Sequence, residues 1–422
     1  MASLTPFEGQ GASFDICNTI LNDEIVNDNA LAPLSCPQKA FLSFRERVRE
    51  FMSMIPHTGP CVVVDLNVVR QNYITFRQAL PEAAVFYAVK ANPAEELLAQ
   101  LASQGSSFDV ASTGEIDMAL AAGATPDRIS FGNTIKKERD IAYAHSKGIT
   151  LFAVDSMEEM QKVARAAPGA RIYCRVLFDC EGAEWPLSRK FGCDLPMAVE
   201  ILAASQEYGL KPYGVSFHVG SQQSDTTAWD AALSKVASVF KELEARGVTL
   251  SMVNMGGGFP AKYLKDIPTV KTYGKAIRNA LKKHFGKRKL DIIIEPGRGM
   301  VGDAGIIRAE VVLISRKSEN DPVRWVYLDI GKFGGMAETM DEAIRYPITT
   351  PHDGGPVSPC VIAGPTCDSV DVLYEKNLYP LPDNLQIGDH VWIESTGAYT
   401  TTYSAVSFNG FAPLKSYCIE AL

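Results

Sequence analysis

The sequence predicts an α/β fold in which a (β/α)8 TIM barrel precedes an all-β C-terminal domain. Between residues 66 and 304, eight short apolar runs suited to buried parallel strands alternate with helical patterns. Eight such units over about 240 residues match the size of a barrel. After residue 304, short strands separated by Gly, Pro and Asp turns replace the helical periodicity. A doubly wound sheet is the alternative, but no G-x-G-x-x-G follows the first strand.

The chain divides into four predicted segments. Residues 1–37 are an irregular arm, and residues 38–65 supply an amphipathic helix and a strand (Cys61–Asp65) that we expect to pack with the β domain. The barrel spans 66–304, and a Greek-key-like β barrel spans 305–422. The barrel strands are predicted near 85–89, 107–111, 129–132, 150–154, 172–178, 213–218, 250–254 and 291–295. Helices are predicted at 94–103, 114–122, 157–166, 196–207, 226–246 and 269–285, and β-domain strands at 306–314, 323–328, 361–363 and 390–394.

Composition excludes several classes of function. A formal charge of −8 argues against a general nucleic-acid binder, and no run of about 18 apolar residues predicts a membrane span. The N-terminus has no basic-then-apolar signal pattern. Nine scattered cysteines without a C-x-x-C pair favour free thiols in a reducing cytoplasm. Six histidines show no H-E-x-x-H spacing, so no metal site is predicted.

A lysine follows the first barrel strand directly. The apolar run Val85–Val89 ends on Lys90, and Pro93 follows in a turn. Taken alone, such a lysine more often reaches solvent at a strand end. If it is buried, desolvation lowers its pKa, and a neutral amine is a good nucleophile toward an aldehyde.

Other reactive residues also follow predicted barrel strands, where the active sites of such barrels lie. They are Asp109, His218, the glycines Gly256, Gly257 and Gly258, Glu295 and Arg298. Three consecutive glycines let backbone N–H groups approach an anion, and an arginine pairs with phosphate in bidentate geometry. Each residue also has a simpler explanation: a flexible turn for the glycines, a core position for His218, and an ion pair with Arg298 for Glu295.

An amine, a phosphate cradle, a carboxylate and a planar stacking group together suit pyridoxal 5′-phosphate. Lys90 would bind it covalently, and Glu295 would hydrogen-bond its pyridine nitrogen. In the β domain, Cys367 and Asp368 stand side by side on a predicted turn. We interpret Cys367 as a proton donor and Asp368 as the acceptor of a cationic substrate end, although Cys367 could instead be a small buried apolar residue.

Over roughly residues 60–415 the chain resembles the eukaryotic-type ornithine decarboxylase family, the fold-type III pyridoxal-phosphate decarboxylases. The shared motifs are Y-A-V-K-A-N (Lys90), F-D-x-A-S (Asp109, with Glu115 beyond), H-V-G-S (His218, Ser221), G-G-G-F-P (Gly256–Gly258), E-P-G-R (Glu295, Arg298), C-D-x-x-D (Cys367, Asp368) and G-A-Y-T (Tyr399). The resemblance implies that His218 lies over the cofactor ring. It also implies that Ser221, the glycines and Tyr399 bind the phosphate.

The resemblance also implies a head-to-tail homodimer in which Cys367 and Asp368 enter the partner's barrel. Lys190 would then pair with Asp371 across the dimer. A tyrosine and an aspartate of the family bind the substrate's distal amine, and the corresponding stretch here offers Asp341 or Glu342. Chain-length preference therefore rests on which of these two acids is used.

The implied reaction is decarboxylation of a basic L-amino acid, with ornithine to putrescine in polyamine biosynthesis first and lysine to cadaverine second. Diaminopimelate decarboxylases usually carry C-E-S-x-D at the turn, biosynthetic arginine decarboxylases are much longer, and alanine racemases lack the C-D turn. A catalytically silent, antizyme-inhibitor-like binding protein would lose cofactor contacts. This chain keeps Lys90, His218, Glu295, Arg298 and Cys367.

Overall fold

A computed structural model describes residues 42–178, 183–185 and 190–420. The arm predicted over residues 1–37 lies outside these ranges. In the described part of the chain, no helix is long and apolar enough to cross a membrane.

The described residues contain ten α-helices and eighteen strands in chain order. The helices are α1 Phe44–Met54, α2 Leu66–Ala79, α3 Glu95–Ser103, α4 Thr113–Ala121, α5 Glu138–Ser146, α6 Met157–Ala166, α7 Leu195–Ala204, α8 Ala228–Ala245, α9 Val270–Phe285 and α10 Arg298–Val301. The strands are β1 Cys61–Asp65, β2 Ala83–Ala88, β3 Ser107–Val110, β4 Ile129–Phe131, β5 Leu151–Val154, β6 Arg171–Arg175, β7 Ala183–Trp185, β8 Lys211–Ser216, β9 Ser221–Gln223, β10 Met252–Asn254, β11 Asp291–Ile294, β12 Gly305–Ser315, β13 Arg324–Leu328, β14 Ile348–Thr349, β15 Val357–Ala363, β16 Val372–Pro382, β17 His390–Glu394 and β18 Lys415–Ile419.

Eight parallel strands close into a barrel in the order β2-β3-β4-β5-β6-β8-β10-β11. The ring closes where β11 pairs with β2, with Ile292 opposite Ala83. All eight predicted barrel strands are present, because each apolar run is buried between neighbouring strands and an outer helix. Helices α2 and α5 were not predicted, and β6 ends at Arg175, earlier than predicted.

The C-terminal β domain is a branched eight-stranded sheet with the path β14-β17-β12-β13-β15-β16. Strand β1 lies between β12 and β18, antiparallel to the first and parallel to the second. The predicted fold class, a TIM-type barrel followed by a mostly β domain, is thus confirmed. Strands β14, β16 and β18 were not predicted, since their mixed polar pattern gives no clean alternation.

One buried aspartate controls how the chain passes from the sheet into the barrel. Asp65 ends β1, and its side chain accepts a hydrogen bond of 2.8 Å from Asn67 N at the start of α2. Its other oxygen accepts hydrogen bonds from Arg47 on α1, at 2.9 Å from Nε. A capping interaction of this kind satisfies a free helix N–H group. Asp65 therefore fixes α1, β1 and α2 at one point.

Two hydrogen bonds join the β domain to the loop after β2. Tyr399 N donates to Ala91 O at 2.8 Å, and Asn92 Nδ2 donates to Gly397 O at 2.8 Å. Tyr399 has a left-handed backbone conformation, with φ of 57°. These contacts bring the Tyr399 side chain over the carboxyl end of the barrel.

A buried aromatic cluster supports the turn after β10. The Trp229 ring on α8 stacks on Phe259 at a centroid distance of 5.1 Å and meets Tyr273 edge-on at 5.5 Å. Because Phe259 directly follows the glycine run, this packing against α8 stabilises the conformation of the turn.

Replacing Trp229 with Ala should lower the free energy of unfolding by about 3–5 kcal/mol, since it leaves a large cavity beneath the turn. Urea denaturation followed by circular dichroism measures the change. Met197→Ala is the control, because Met197 is 49% exposed and its loss should change stability by no more than about 0.5 kcal/mol. Equal midpoints for the two variants would contradict the assignment of Trp229 to the core.

Candidate active site

The side chains at the carboxyl end of the barrel converge on one pocket. Its lining includes Lys90, Asp109, His218, Ser221, Gly257, Gly258, Glu295, Arg298 and Tyr399. Gly256 does not line it but directly precedes Gly257. The structure therefore brings nearly all of the predicted cofactor-binding residues together. The lining also contains Ala88, Phe259, Gly297, Glu338 and Tyr403, which were not predicted.

Lys90 lies on a single 3-10 turn, Val89–Ala91, directly after β2. Its side chain is exposed to the pocket, although protein atoms surround it. Burial by itself lowers the pKa of Lys90, but the charges of Tyr399, Asp109 and Glu295 outweigh this effect and raise it. The lowered pKa expected from the sequence is therefore wrong, because that expectation counted burial and omitted the acidic neighbours.

Two carboxyl groups, Asp109 on β3 and Glu295 after β11, face Lys90 across the pocket. Burial and the charge of Glu295 raise the pKa of Asp109 well above its usual value, against the opposing effect of Lys90. Burial likewise raises the pKa of Glu295, and its hydrogen bond to Asn254 partly offsets the rise. Like charges in a poorly solvated site resist ionising together, so the pair tends to hold a proton.

Asn254, the last residue of β10, orients Glu295 and was missed by the sequence analysis. Its side-chain amide donates a hydrogen bond to Glu295 Oε1, and its Oδ1 accepts one of 2.9 Å from Gly256 N. The residue thus connects the carboxylate to the glycine turn. In the sequence, this role could have been inferred from the position of Asn254, a polar residue that ends the apolar run Met252–Asn254.

Arg175, at the end of β6, acts electrostatically on the pocket residues and was also missed by the sequence analysis. Its guanidinium lies 5.2 Å from the centre of the Phe191 ring. Burial, then the charges of Arg175 and Lys90, lower the pKa of His218 well below its usual value. His218 is therefore a neutral imidazole, and its Nδ1 accepts a hydrogen bond of 3.0 Å from Gly220 N.

The glycine run after β10 allows close backbone contact. Gly256 and Gly258 have φ values of +63° and +101°, which side chains disfavour. A Cβ on Gly256 would lie 2.1 Å from Phe217 O, and one on Gly258 would lie 2.6 Å from Gly220 O. Only glycine fits these two positions, so the backbone itself lines the pocket here.

Arg298, the first residue of α10, is buried and paired with Glu338 of the β domain. Its Nη1 donates to Glu338 Oε2 at 2.5 Å, and Nη2 donates to Oε1. Nη1 also donates to Tyr263 OH at 2.7 Å, and the guanidinium reaches Ser221 Oγ at 3.4 Å. The partner of Arg298 is thus Glu338, and the Glu295–Arg298 pair considered from the sequence is not formed.

Comparison with known proteins gives a consistent family. Residues 66–302 match the pyridoxal-binding domain of pyridoxal-dependent decarboxylases. A lysine/ornithine decarboxylase of Selenomonas ruminantium is 35% identical over 375 residues, 88% of this chain and 92% of that protein. The ornithine decarboxylase of Schizosaccharomyces pombe is 33% identical over 360 residues, 83% of this chain and 81% of that protein.

A crystal structure of SrLDC in complex with PLP and cadaverine superposes with a TM-score of 0.80 at 34% identity, covering 90% of this chain and 94% of that one. This chain belongs to the pyridoxal-dependent decarboxylases. It is a pyridoxal 5′-phosphate-dependent decarboxylase of basic amino acids, as the resemblance implied.

The pocket of this decarboxylase suits its cofactor. The buried Oδ1 atom of Asp109 has no hydrogen-bond partner among the described residues, so it is available to a ligand. The Lys90 amine suits an aldehyde, and the Gly257–Gly258 backbone leaves room for phosphate oxygens. When bound, the cofactor supplies an electron sink for the charge that remains after loss of a carboxylate.

The two acids expected to bind the distal amine lie outside this pocket. Asp341 and Glu342 both have positive φ, at 52° and 59°. Asp341 pairs with Lys376 Nζ at 3.2 Å, whereas Glu342 accepts hydrogen bonds from Arg345 and from backbone N–H groups of residues 375–377. The acid that this segment contributes to the pocket of its own chain is Glu338.

Cys367 and Asp368 also lie outside the pocket of their own chain. Cys367 is exposed, which excludes the alternative that it is a buried apolar residue, and its N–H donates to Asn409 Oδ1 at 3.0 Å. Asp368 Oδ1 accepts a hydrogen bond of 3.0 Å from Val370 N. The turn therefore presents its thiol to the outside of the chain.

Asp371 and Lys190, which are predicted to pair across the dimer, have different contacts within one chain. Asp371 is buried, and its carboxylate accepts hydrogen bonds from Lys332 N at 2.7 Å and Thr366 Oγ1 at 2.7 Å. Lys190 Nζ lies 4.9 Å from the centre of the Phe191 ring. Asp371 thus stabilises the turn to which it belongs, a role that the sequence analysis did not foresee. Its pairing with Lys190 across a dimer stays a prediction.

Replacing Glu338 with Gln should destabilise the protein prepared without cofactor, because breaking a buried ion pair costs about 3–5 kcal/mol. The Arg298 charge then lacks a counter-ion, so pyridoxal phosphate should restore more stability than it adds to the unsubstituted protein. Thermal unfolding with and without cofactor measures both effects.

The matched control for this experiment is Glu207→Gln, because Glu207 is exposed and remote from the pocket. It should leave both melting temperatures unchanged. If Glu338→Gln lowers the melting temperature by the same amount with and without cofactor, the ion pair does not affect cofactor binding.

Proposed function

We propose that this decarboxylase converts L-ornithine to putrescine, with L-lysine as its second substrate. The supporting observation is that one chain carries both the Lys90 pocket and an exposed Cys367–Asp368 turn. The two curated relatives named above are a lysine/ornithine and an ornithine decarboxylase, and the SrLDC structure contains the diamine cadaverine.

Lys90 holds the cofactor through its side-chain nitrogen. Because its neighbours raise the pKa of Lys90, its amine, when not bonded to the cofactor, would hold a proton beside Asp109 and Glu295. Glu295, oriented by Asn254, would hydrogen-bond the pyridine nitrogen of a bound cofactor. His218, a neutral imidazole, would pack on the cofactor ring without adding a competing charge.

The proton that replaces the lost carboxylate comes from Cys367 of a second chain in this proposal. A thiol on an exposed turn outside its own pocket can reach a pocket only in an assembly. Apolar side chains near this turn, Val370 at 57% and Phe411 at 44% exposed, provide a surface for a partner to cover. The homodimer with shared sites therefore explains both the exposed thiol and the exposed apolar residues.

Substrate choice rests on Asp368 in this proposal. Since Asp341 and Glu342 are held on their own β domain, Asp368 of the partner is the acid left to accept the distal ammonium group. A site built around a buried carboxylate rejects substrates that leave it unpaired. The position of this single acid then sets the preference between ornithine and the longer lysine.

The assignment of Lys90 can be tested by reduction with borohydride. The holoenzyme should retain cofactor mass on the peptide that contains Lys90, whereas Lys90→Ala should lose that mass and the near-visible absorbance. Parallel release of CO2 from ornithine, lysine, arginine and diaminopimelate then ranks the substrates. If the reduced cofactor is found on another lysine, the Lys90 assignment is overturned. If arginine or diaminopimelate is the best substrate, the ornithine proposal is overturned.

The shared site predicts that two inactive variants complement each other. Lys90→Ala and Cys367→Ala should each lose nearly all activity, yet a mixture that exchanges chains should regain about one quarter of the wild-type sites, because half of the dimers carry one intact site of two. Activity after dilution and reassociation measures this. No recovery, despite chain exchange shown by light scattering and labelled chains, would place both residues in one chain.

A further inference from the structure

Three side chains outside the pocket meet on the β domain. His57 precedes β1, Glu310 lies on β12 and His390 begins β17. Glu310 and His390 face each other across the antiparallel β12–β17 pair. The potential ligand atoms of all three residues lie within 4.8 Å of one another. This set, His57, Glu310 and His390, is called the His–Glu–His cluster below.

We propose that the His–Glu–His cluster binds a zinc ion, which ties the segment before β1 to the β domain. Two imidazoles and one carboxylate are ligands that Zn2+ favours, and three protein ligands leave a fourth position for water. The side chains of His57 and Glu310 are 25% and 38% exposed, so solvent reaches this fourth position.

The separations suit this ion after small movements. His57 Nε2 lies 2.7 Å from Glu310 Oε2, and the two imidazole rings are 4.2 Å apart at 62°. Zinc bonds of about 2.0–2.2 Å in tetrahedral geometry place ligand atoms about 3.4 Å apart. The ion fits if the His57–Glu310 contact opens by well under one ångström and the longer separations, which are at most 4.8 Å, close toward this value.

A simple hydrogen bond between His57 and Glu310 does not account for the third residue. Within residues 42–178, 183–185 and 190–420, the ring nitrogens of His390 have no hydrogen-bond partner. A ligand shared by all three side chains explains why the ring faces the pair.

Nearby charges favour a cation overall. Asp329 accepts a hydrogen bond of 2.8 Å from Glu310 N, which places its carboxyl group beside the cluster. Asp389 adjoins His390 and adds a second negative charge, whereas the buried Arg308 adds a positive one. Including Glu310, three carboxyl groups oppose one guanidinium around the site.

The cluster left no motif in the sequence because its members come from remote segments. His57 and Glu310 are 253 positions apart, and the pairing of β1 with β12 brings their segments together. A bound ion would anchor the segment between α1 and β1 to strands β12 and β17. Its role is therefore stability of the β domain, separate from the decarboxylase pocket.

The test uses the cofactor-loaded full chain, treated with chelator and titrated with Zn2+ by calorimetry. The wild type should bind one more zinc ion per chain than either His57→Ala or His390→Asn, and zinc should raise the melting temperature of the wild type alone. His145→Ala is the matched control, because His145 is a half-buried histidine on α5 outside the cluster.

Each variant should keep the cofactor absorbance and decarboxylase activity, which shows that it folds and separates this test from that of the proposed function. Glu310→Gln should weaken zinc binding by at least about tenfold, since it removes the charged ligand. Equal zinc stoichiometry in the wild type, His57→Ala and His390→Asn, as adventitious binding elsewhere would give, overturns the proposal.

Discussion

The buried pair between Arg298 and Glu338 connects the two halves of this decarboxylase. Arg298 opens the short helix between the last barrel strand and the first long strand of the β domain, and Glu338 lies in a turn of that second domain. A buried pair that loses one partner is strongly destabilised. The contact therefore fixes the distance between the barrel mouth and the β domain beside the pocket.

The same pair sets the charge of the pocket. Since Glu338 neutralises Arg298, the other ionisable groups that line the pocket include Lys90, Asp109 and Glu295. Burial raises the pKa of both acids, whereas Tyr399, followed by the two acids, raises the pKa of Lys90. The pocket thus stores protons on groups that adjoin the reacting atoms, which suits a reaction that replaces a carboxylate with a proton.

The sequence could predict most of the barrel and the residues at its strand ends, since apolar runs fix the strands and strand order fixes where their ends meet. It could not predict the acid that faces Arg298. The segment 337–342 has an irregular, kinked backbone, so its motif register could not show that Glu338 is the acid that lines the pocket of its own chain. Nor could spacing identify Asn254 or the pKa of Lys90, because both depend on contacts between remote strands.

The β domain is built from both ends of the described chain, because β1 lies between β12 and β18. The same domain supplies Tyr399 and Glu338 to the pocket and holds Tyr399 against the loop after β2. The barrel alone therefore lacks part of the pocket. Since the two strands flanking β1 are far apart in sequence, their pairing forms only after long loops close. The complete pocket therefore forms only when the β domain, with β1 in its sheet, is folded.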